Sequence, residues 1–234
     1  VQRSANEAGS MADEMDFTLL LDSRRKLLSV GYDVQTGQLN PACYDLLASE
    51  SRIGVFAAIA KEDIPQESWF LLGRAHTVDN GRPVLLSWTG TMFEYLMPAL
   101  WMHTYPNTLL DRSRIAAVRS QQAYVSGKRI PWGISESAYF KLDGAGNYQY
   151  HAFGLPQLAL RKRELNALVI SPYSTFLSLS VDAVAALANL HTMDDKEWFG
   201  AYGFYEAADF SSPQSRSWRH RYELVKCWMA HHQG

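Results

Sequence analysis

Residues 41–63, "PACYDLLASESRIGVFAAIAKED", decide how the rest of the chain is read. Asn40 followed by Pro41 has the form of a helix start, an N-cap with proline at the first helical position. Leu46, Leu47, Ile53, Gly54 and Ala57 then recur at the spacing of a buried stripe, so the segment is expected to be helical to about Lys61. Glu50 falls on the same stripe. A glutamate facing inward must be paired, protonated or chemically at work, because desolvation raises its pKa and an unpaired buried charge is costly. Arg52 stands two positions on, roughly on the opposite side, so a cation for Glu50 would have to come from elsewhere in the fold.

Working outward, the first fifteen residues read as a piece of helix, and "KLLSVGYDVQTGQL" alternates around Thr36-Gly37 as a short hairpin. Further helices are expected at 92–103, 114–126, 172–180, 182–191 and 219–232. Short extended pieces are expected at 84–88, at 138–142 paired with 148–153 across "DGAG", and at 202–205. No repeat, low-complexity tract or linker interrupts the chain, so residues 1–234 are read as one domain. The fold class is mainly α with short β-hairpins in the loops. Antiparallel helices whose connections carry aromatics and acids are the pattern of a helical toroid around a cleft.

Composition narrows the function. At 234 residues and 47% hydrophobic, the chain can bury a sizeable core. Lys+Arg 22 against Asp+Glu 24 gives a formal charge of −2, and no basic run is longer than the three residues of Arg161-Lys162-Arg163, which argues against nucleic acid. The apolar run 96–102 is broken by Pro98 and is far short of the roughly 20 residues of a membrane helix, so this segment is not expected to insert into a bilayer. The opening VQRSANEAGS is polar and has no apolar signal-peptide core. Cys43 and Cys227 are too few for a disulfide framework and fit a reducing compartment, with room for one bridge.

Seven Trp, twelve Tyr and ten Phe make up 12% of the chain, many of them beside Gly, Ser, Gln or Glu. Rings next to hydrogen-bonding groups serve ordinary packing, and they also suit a sugar, whose C–H faces stack while its hydroxyls seek amides and carboxylates. In "IPWGISESAY", residues 130–139, Glu136 stands among glycine, serines and rings, with no lysine or arginine inside the stretch. A tight backbone there places its carboxylate at the mouth of a cleft or in open solvent. Glu94 in "WTGTMFEYLMP" and Glu206 in "YGFYEAADF" repeat the theme of an acid between rings. Two carboxyl groups facing each other are the equipment of glycoside hydrolysis or transfer. Other chemistries fit less well. There is no HExxH, CxxC or GxxxxGK[ST], and "GISES" lacks the second glycine of a nucleophile elbow. His231 and His232 are adjacent, so on a helix they diverge by about 100° and are poorly placed to chelate one ion. No metal and no cofactor are therefore expected.

Six ordered stretches carry a resemblance: "GYDVQTGQLNPACYDLLASESRIGVFAAIAKEDIPQESWFLLGR", "LLSWTGTMFEYLMPALWM", "PWGISESAYF", "NYQYHAFGLPQLAL", "GAYGFYEAADF" and "MAHHQG". Together they resemble the glucoamylase-like domain in the middle of bacterial cyclic β-1,2-glucan synthases. The resemblance implies an (α/α)6 toroid, related to β-1,2-glucanases, that cleaves linear β-1,2-glucan with retention and closes it into a ring. It matches Glu50 of "LLASESR" to the acid/base and Glu136 of "GISES" to the nucleophile. Retention then requires carboxyl groups roughly 5 to 5.5 Å apart, against about 6.5 to 9.5 Å for inversion. Asp45, Arg52, Trp88, Glu94, Trp132, Tyr139, Tyr205, Glu206 and His231 are the residues expected to hold sugars. A full toroid has twelve helices and this chain supports about half of them, so it is expected to be part of such a domain. The remainder of the toroid, or of a larger synthase, would be its partner. The resemblance also implies a membrane-bound parent protein acting on the cytoplasmic side of the bacterial inner membrane.

Overall fold

A computed structural model of the chain describes residues 2–161, 167–211 and 222–233. The chain divides into two compact units, Val1–Leu47 with Ser51–Gly73, and Ala48–Glu50 with Arg74–Gly234. Both are mainly helical with short antiparallel strand pairs, as the sequence led us to expect. No helix among the described residues is long and apolar enough to cross a membrane.

The first unit opens on α1 (Gln2–Glu14) and two hairpins, β1 (Leu21–Asp22) with β2 (Leu27–Leu28) and β3 (Tyr32–Asp33) with β4 (Gln38–Leu39). Gly37, at φ +68°, turns the second hairpin where Thr36-Gly37 indicated. The helix expected from Pro41 does not form there. α2 runs Arg52–Ala60, followed by the short α3 (Glu67–Leu71). The backbone of 42–44 is instead drawn into bonds with the preceding hairpins, as Val30 N donates to Ala42 O and Tyr44 N to Leu28 O, and Asn40 Oδ1 accepts from Ala42 N. A segment whose amides and carbonyls are taken up sideways cannot also close an α-helix. Leu27, Leu28, Leu47, Val55, Ala58, Ile64 and Leu72 are buried.

The second unit begins with β5 (His76–Asp79) and β6 (Arg82–Leu85). α4 (Met92–Leu96) is much shorter than the helix expected at 92–103: Pro98 has no N–H to continue the ladder, and the chain tightens into a 3-10 turn, Met97–Leu100. α5 (Leu109–Val125) starts five residues earlier than expected because Thr108 caps it, accepting from Asp111 N at 3.3 Å. β7 (Ser137–Leu142) and β8 (Tyr148–His151) form the expected hairpin. β9 (Val169–Ile170) leads into α6 (Pro172–Leu177), and α7 (Ala183–Asp194) is capped by Asp182, which accepts from Ala185 N. β10 (Phe199–Gly200) and β11 (Gly203–Phe204) pair, and β12 (Ala207–Asp209) is the middle strand between β9 and β13 (Glu223–Val225). α8 (Ala230–Gln233) follows. The long helix expected at 219–232 is thus a strand and a short helix, apart from residues 219–221, which lie outside the described residues, as do Lys162 and Arg163 of the basic run. Pairing along β12 decides the matter for the strand, with Glu223 opposite Asp209 and Val225 opposite Ala207. Both cysteines are free.

Candidate active site

Glu136 lies in the second unit, at the end of an irregular segment, residues 131–136, that enters β7. Side chains from three helices take up the backbone of that segment. Gln121 of α5 donates through Nε2 to Ile134 O at 2.8 Å and accepts from Ile134 N at 2.9 Å. Asn189 of α7 does the same for Trp132, accepting from its N at 3.1 Å and donating to its O at 2.8 Å. Tyr173 of α6 donates its hydroxyl toward Ser135 Oγ and Glu136 O, both at 2.9 Å. Gly133 sits at φ +129°, where a Cβ would meet Ser174 Oγ at 2.6 Å, so no larger residue lets the segment approach α6 this closely. A buried loop is possible here because its polar groups are satisfied by paired amides rather than water.

The Glu136 side chain is half-buried and accepts from the Tyr150 hydroxyl at 2.7 Å. Burial pushes its carboxyl above the usual glutamate range, the Tyr150 hydrogen bond pulls it partly back, and the negative charge of Glu50 raises it again. Glu50 therefore acts electrically on Glu136 within the same unit. It is not on a helical stripe. It occupies the turn before α2, half-buried, with Ser49 Oγ donating to Oε2 at 3.3 Å.

Glu206 is buried at 1% exposure, and its Oε1 contacts His232 Nδ1 at 2.8 Å and accepts from Ala138 N at 3.3 Å. The His232 ring stacks on Tyr173, with centroids 3.8 Å apart and planes at 10°. His231 is exposed, and partial burial together with neighbouring His232 lowers its pKa. Although the two histidines are adjacent, each brings a ring nitrogen within 4.8 Å of the other and of a Glu136 carboxylate oxygen. The short α8 does not impose the divergence expected of a long helix. A cavity of about 490 Å³, lined by Phe93, Tyr173, Phe176, Phe204, His231 and His232, opens beside this group.

The other expected residues are distributed differently. Glu94 is 4% exposed, and its two carboxylate oxygens accept from Ser87 Oγ, Trp88 N, Thr89 N and Oγ1, and Thr91 N and Oγ1. Its carboxylate is thus engaged by its own loop. Trp88 is exposed beside it, whereas Trp132 is buried. Tyr139 donates to Gln149 Oε1 at 2.8 Å, and Tyr205 packs on Trp228 at 5.2 Å. Asp45 and Arg52 belong to the first unit, where Arg52 is buried and donates to Leu47 O at 3.3 Å. Sequence reasoning missed Tyr150, Tyr173 and His232. For Tyr150 a signal existed, since the "DGAG" hairpin brings it opposite Ala138, two residues past Glu136.

The family model described as "Putative glucoamylase" matches residues 43–234. The chain is 41% identical over 229 residues to "Cyclic beta-(1,2)-glucan synthase NdvB" of Rhizobium meliloti (strain 1021), covering 97% of this chain and 8% of the synthase. Its fold is similar to that of an endo-β-1,2-glucanase from Chitinophaga pinensis, solved with sophorotriose and glucose, at 19% identity and TM-score 0.61, over 96% of this chain and 56% of that one. It is also similar to an endo-β-1,2-glucanase from Talaromyces funiculosus, solved with sophorose, at 15% identity and TM-score 0.67, over 83% of this chain and 44% of that one. The chain thus spans about half of those glucanases and a small part of the synthase.

Proposed function

Because the chain belongs to the glucoamylase-like family, we propose that it is part of an enzyme that cleaves β-1,2-glucan and passes the released glycosyl group to another sugar hydroxyl with retention. The observation that carries this reading is the setting of Glu136. Its carboxylate is held by the neutral phenol of Tyr150, is partly desolvated, and feels the charge of a second carboxylate, Glu50. Partial desolvation without a neutralising hydrogen bond keeps a carboxylate nucleophilic.

In the first step a Glu136 oxygen attacks the anomeric carbon, forming a glycosyl–carboxylate ester. The glycosidic C–O bond breaks, and Glu50 gives its proton to the departing oxygen. In the second step Glu50 takes the proton of the acceptor hydroxyl, whose oxygen displaces Glu136 and restores the β-linkage. If the acceptor lies on the same glucan, a ring closes; if it is water, the result is hydrolysis. Trp88, Tyr139, Tyr205, Glu206 and His231 are assigned to holding sugars, and Glu94 to shaping the loop that presents Trp88. Asp45 and Trp132 are assigned to the same task, with Arg52 in a lesser part. The whole chain is taken as one partial (α/α)6 domain, completed by further polypeptide of a membrane-bound synthase acting on the cytoplasmic side of the inner membrane.

The decisive experiment is incubation with linear β-1,2-glucan and analysis of products. Cyclic products from the wild type that disappear with Glu136→Gln support the reading, and equal products from both would sink it. The fold shared with endo-β-1,2-glucanases favours one second reading, an inverting glucanase that uses the same carboxylates with water. The anomeric configuration of the first product, followed by NMR, separates the two.

A pH dependence follows from the forces on Glu136. The ionised carboxylate is the reactive form, so the acid limb of turnover is expected above the ordinary glutamate value of about 4.3. Tyr150→Phe removes the largest influence that lowers this pKa, so the limb is expected to move to higher pH. A pH–rate profile checks it, and an unmoved or lower limb in the variant would contradict the assignment.

A further inference from the structure

We propose that Glu136, His231 and His232 form a binding site for a divalent transition-metal ion of the Zn²⁺ type, and that an ion bound there silences the enzyme by occupying the nucleophile. Two imidazole nitrogens and one carboxylate oxygen lie within 4.8 Å of one another. That is the donor set of a three-ligand zinc site with a fourth position open. Ligand atoms about 2.1 Å from a tetrahedral ion stand roughly 3.4 Å apart, and rotation of the exposed His231 ring together with the half-buried Glu136 side chain can close the difference.

A second observation is independent of that spacing. The His232 side chain is fully buried, and its Nε2 has no hydrogen-bond partner. A buried ring nitrogen left in that state calls for a ligand. Its other nitrogen, Nδ1, faces Glu206 Oε1 at 2.8 Å. With the proton on Nδ1, the carboxylate fixes the tautomer and leaves the Nε2 lone pair available to an ion, the outer-shell arrangement that orients metal-bound histidines. Stacking on Tyr173 holds the ring in place. The cavity lined by His231 and His232 gives an ion a way in. Two nitrogen donors favour Zn²⁺, Ni²⁺ or Cu²⁺ over Mg²⁺, which prefers an all-oxygen octahedron.

Binding rests on this geometry alone, whereas silencing rests also on the proposed role of Glu136, so the two are read separately. Calorimetric titration of the chain with ZnCl₂, without sugar, is expected to show one ion per chain and no comparable uptake of Mg²⁺. Affinity is expected to fall at least tenfold in His231→Gln and in Glu136→Gln, with circular dichroism checking that both remain folded. On the wild type, Co²⁺ is expected to show the visible absorption of a low-coordinate nitrogen–oxygen site. Lack of Zn²⁺ uptake, or unchanged affinity in His231→Gln, overturns the site. Stoichiometric binding with turnover of linear β-1,2-glucan intact overturns the silencing while leaving the site standing. Inhibition reversed by a chelator supports both.

Discussion

Glu136→Gln is expected to lower turnover of linear β-1,2-glucan on the order of 10⁴-fold while leaving the fold intact. The amide keeps the volume of the carboxylate and can still accept from Tyr150, so the local packing survives. What disappears is the negative oxygen that forms the covalent intermediate, a loss that sugar binding cannot replace. The smaller variant Glu136→Ala adds a sharper check. Azide, entering the space vacated by the carboxylate, attacks the anomeric carbon from the same face and is expected to release an α-linked glycosyl azide, which identifies the nucleophile by stereochemistry. With Glu50→Ala the nucleophile remains, and azide acting on the ester is expected to give the β-linked product. A β-azide from the Glu136 variant would exchange the two assignments.

The same substitution has a stability consequence of definite sign. The folded state raises the Glu136 pKa, chiefly by burial, so it holds the proton more tightly than the unfolded chain does. Its favourable contribution is complete below the unfolded value of about 4.3 and is lost as pH rises through the higher folded value. At neutral pH the ionised carboxylate is a burden on the fold. Glu136→Gln is accordingly expected to melt above the wild type at pH 7, with the gap closing near pH 4. Such a gain would mark the residue as one whose position serves chemistry rather than stability.

What could be read in the sequence was what depends on neighbours along the chain. The hairpin turns at Thr36-Gly37 and "DGAG" follow from local backbone demands, and so does the helix that starts at Pro172. The helix from Pro41 failed because hairpin residues 28 and 30 compete for its backbone groups, and no count of apolar spacing registers that competition. The expectation for Glu50 survived in part for a reason other than the one given. It is half-buried beside other acids, but it stands in a turn and not on a helical stripe. Both glutamates were visible as candidates, whereas the groups that hold Glu136 in place were not. Tyr150 comes from 14 positions away and Tyr173 from 37, and their hydroxyls converge only after β8 and α6 have packed. The loop bonds of Glu94 were equally hidden, because an acid between rings in the sequence looks alike whether it faces a ligand or its own loop.

Glu94→Ala is expected to be the most destabilising single change considered, by about 3 to 5 kcal/mol. The carboxylate completes a capping box at α4 with Thr91 and gathers three backbone N–H groups and three hydroxyls from residues 87–91. Alanine leaves those donors around a void. The loop cannot turn them outward cheaply, because it is also tied to a second segment: Leu155 N donates to Gly90 O, and Leu160 N and Arg161 N donate to Ser87 O and Trp88 O. Gly90, at φ +76°, lies so close to Leu155 O that a Cβ would stand 2.5 Å away, which limits any shift. At about 2 to 4 °C per kcal/mol for a chain of this size, the melting temperature should fall by roughly 6 to 20 °C. Glu94→Gln keeps one acceptor oxygen but turns an NH₂ toward other donors, so an intermediate loss is expected. A sugar ligand would behave in the opposite way, raising KM with little change in melting. Thermal denaturation beside steady-state kinetics decides between them, and a Glu94→Ala variant that melts within about 2 °C of the wild type while its KM rises would return Glu94 to the substrate.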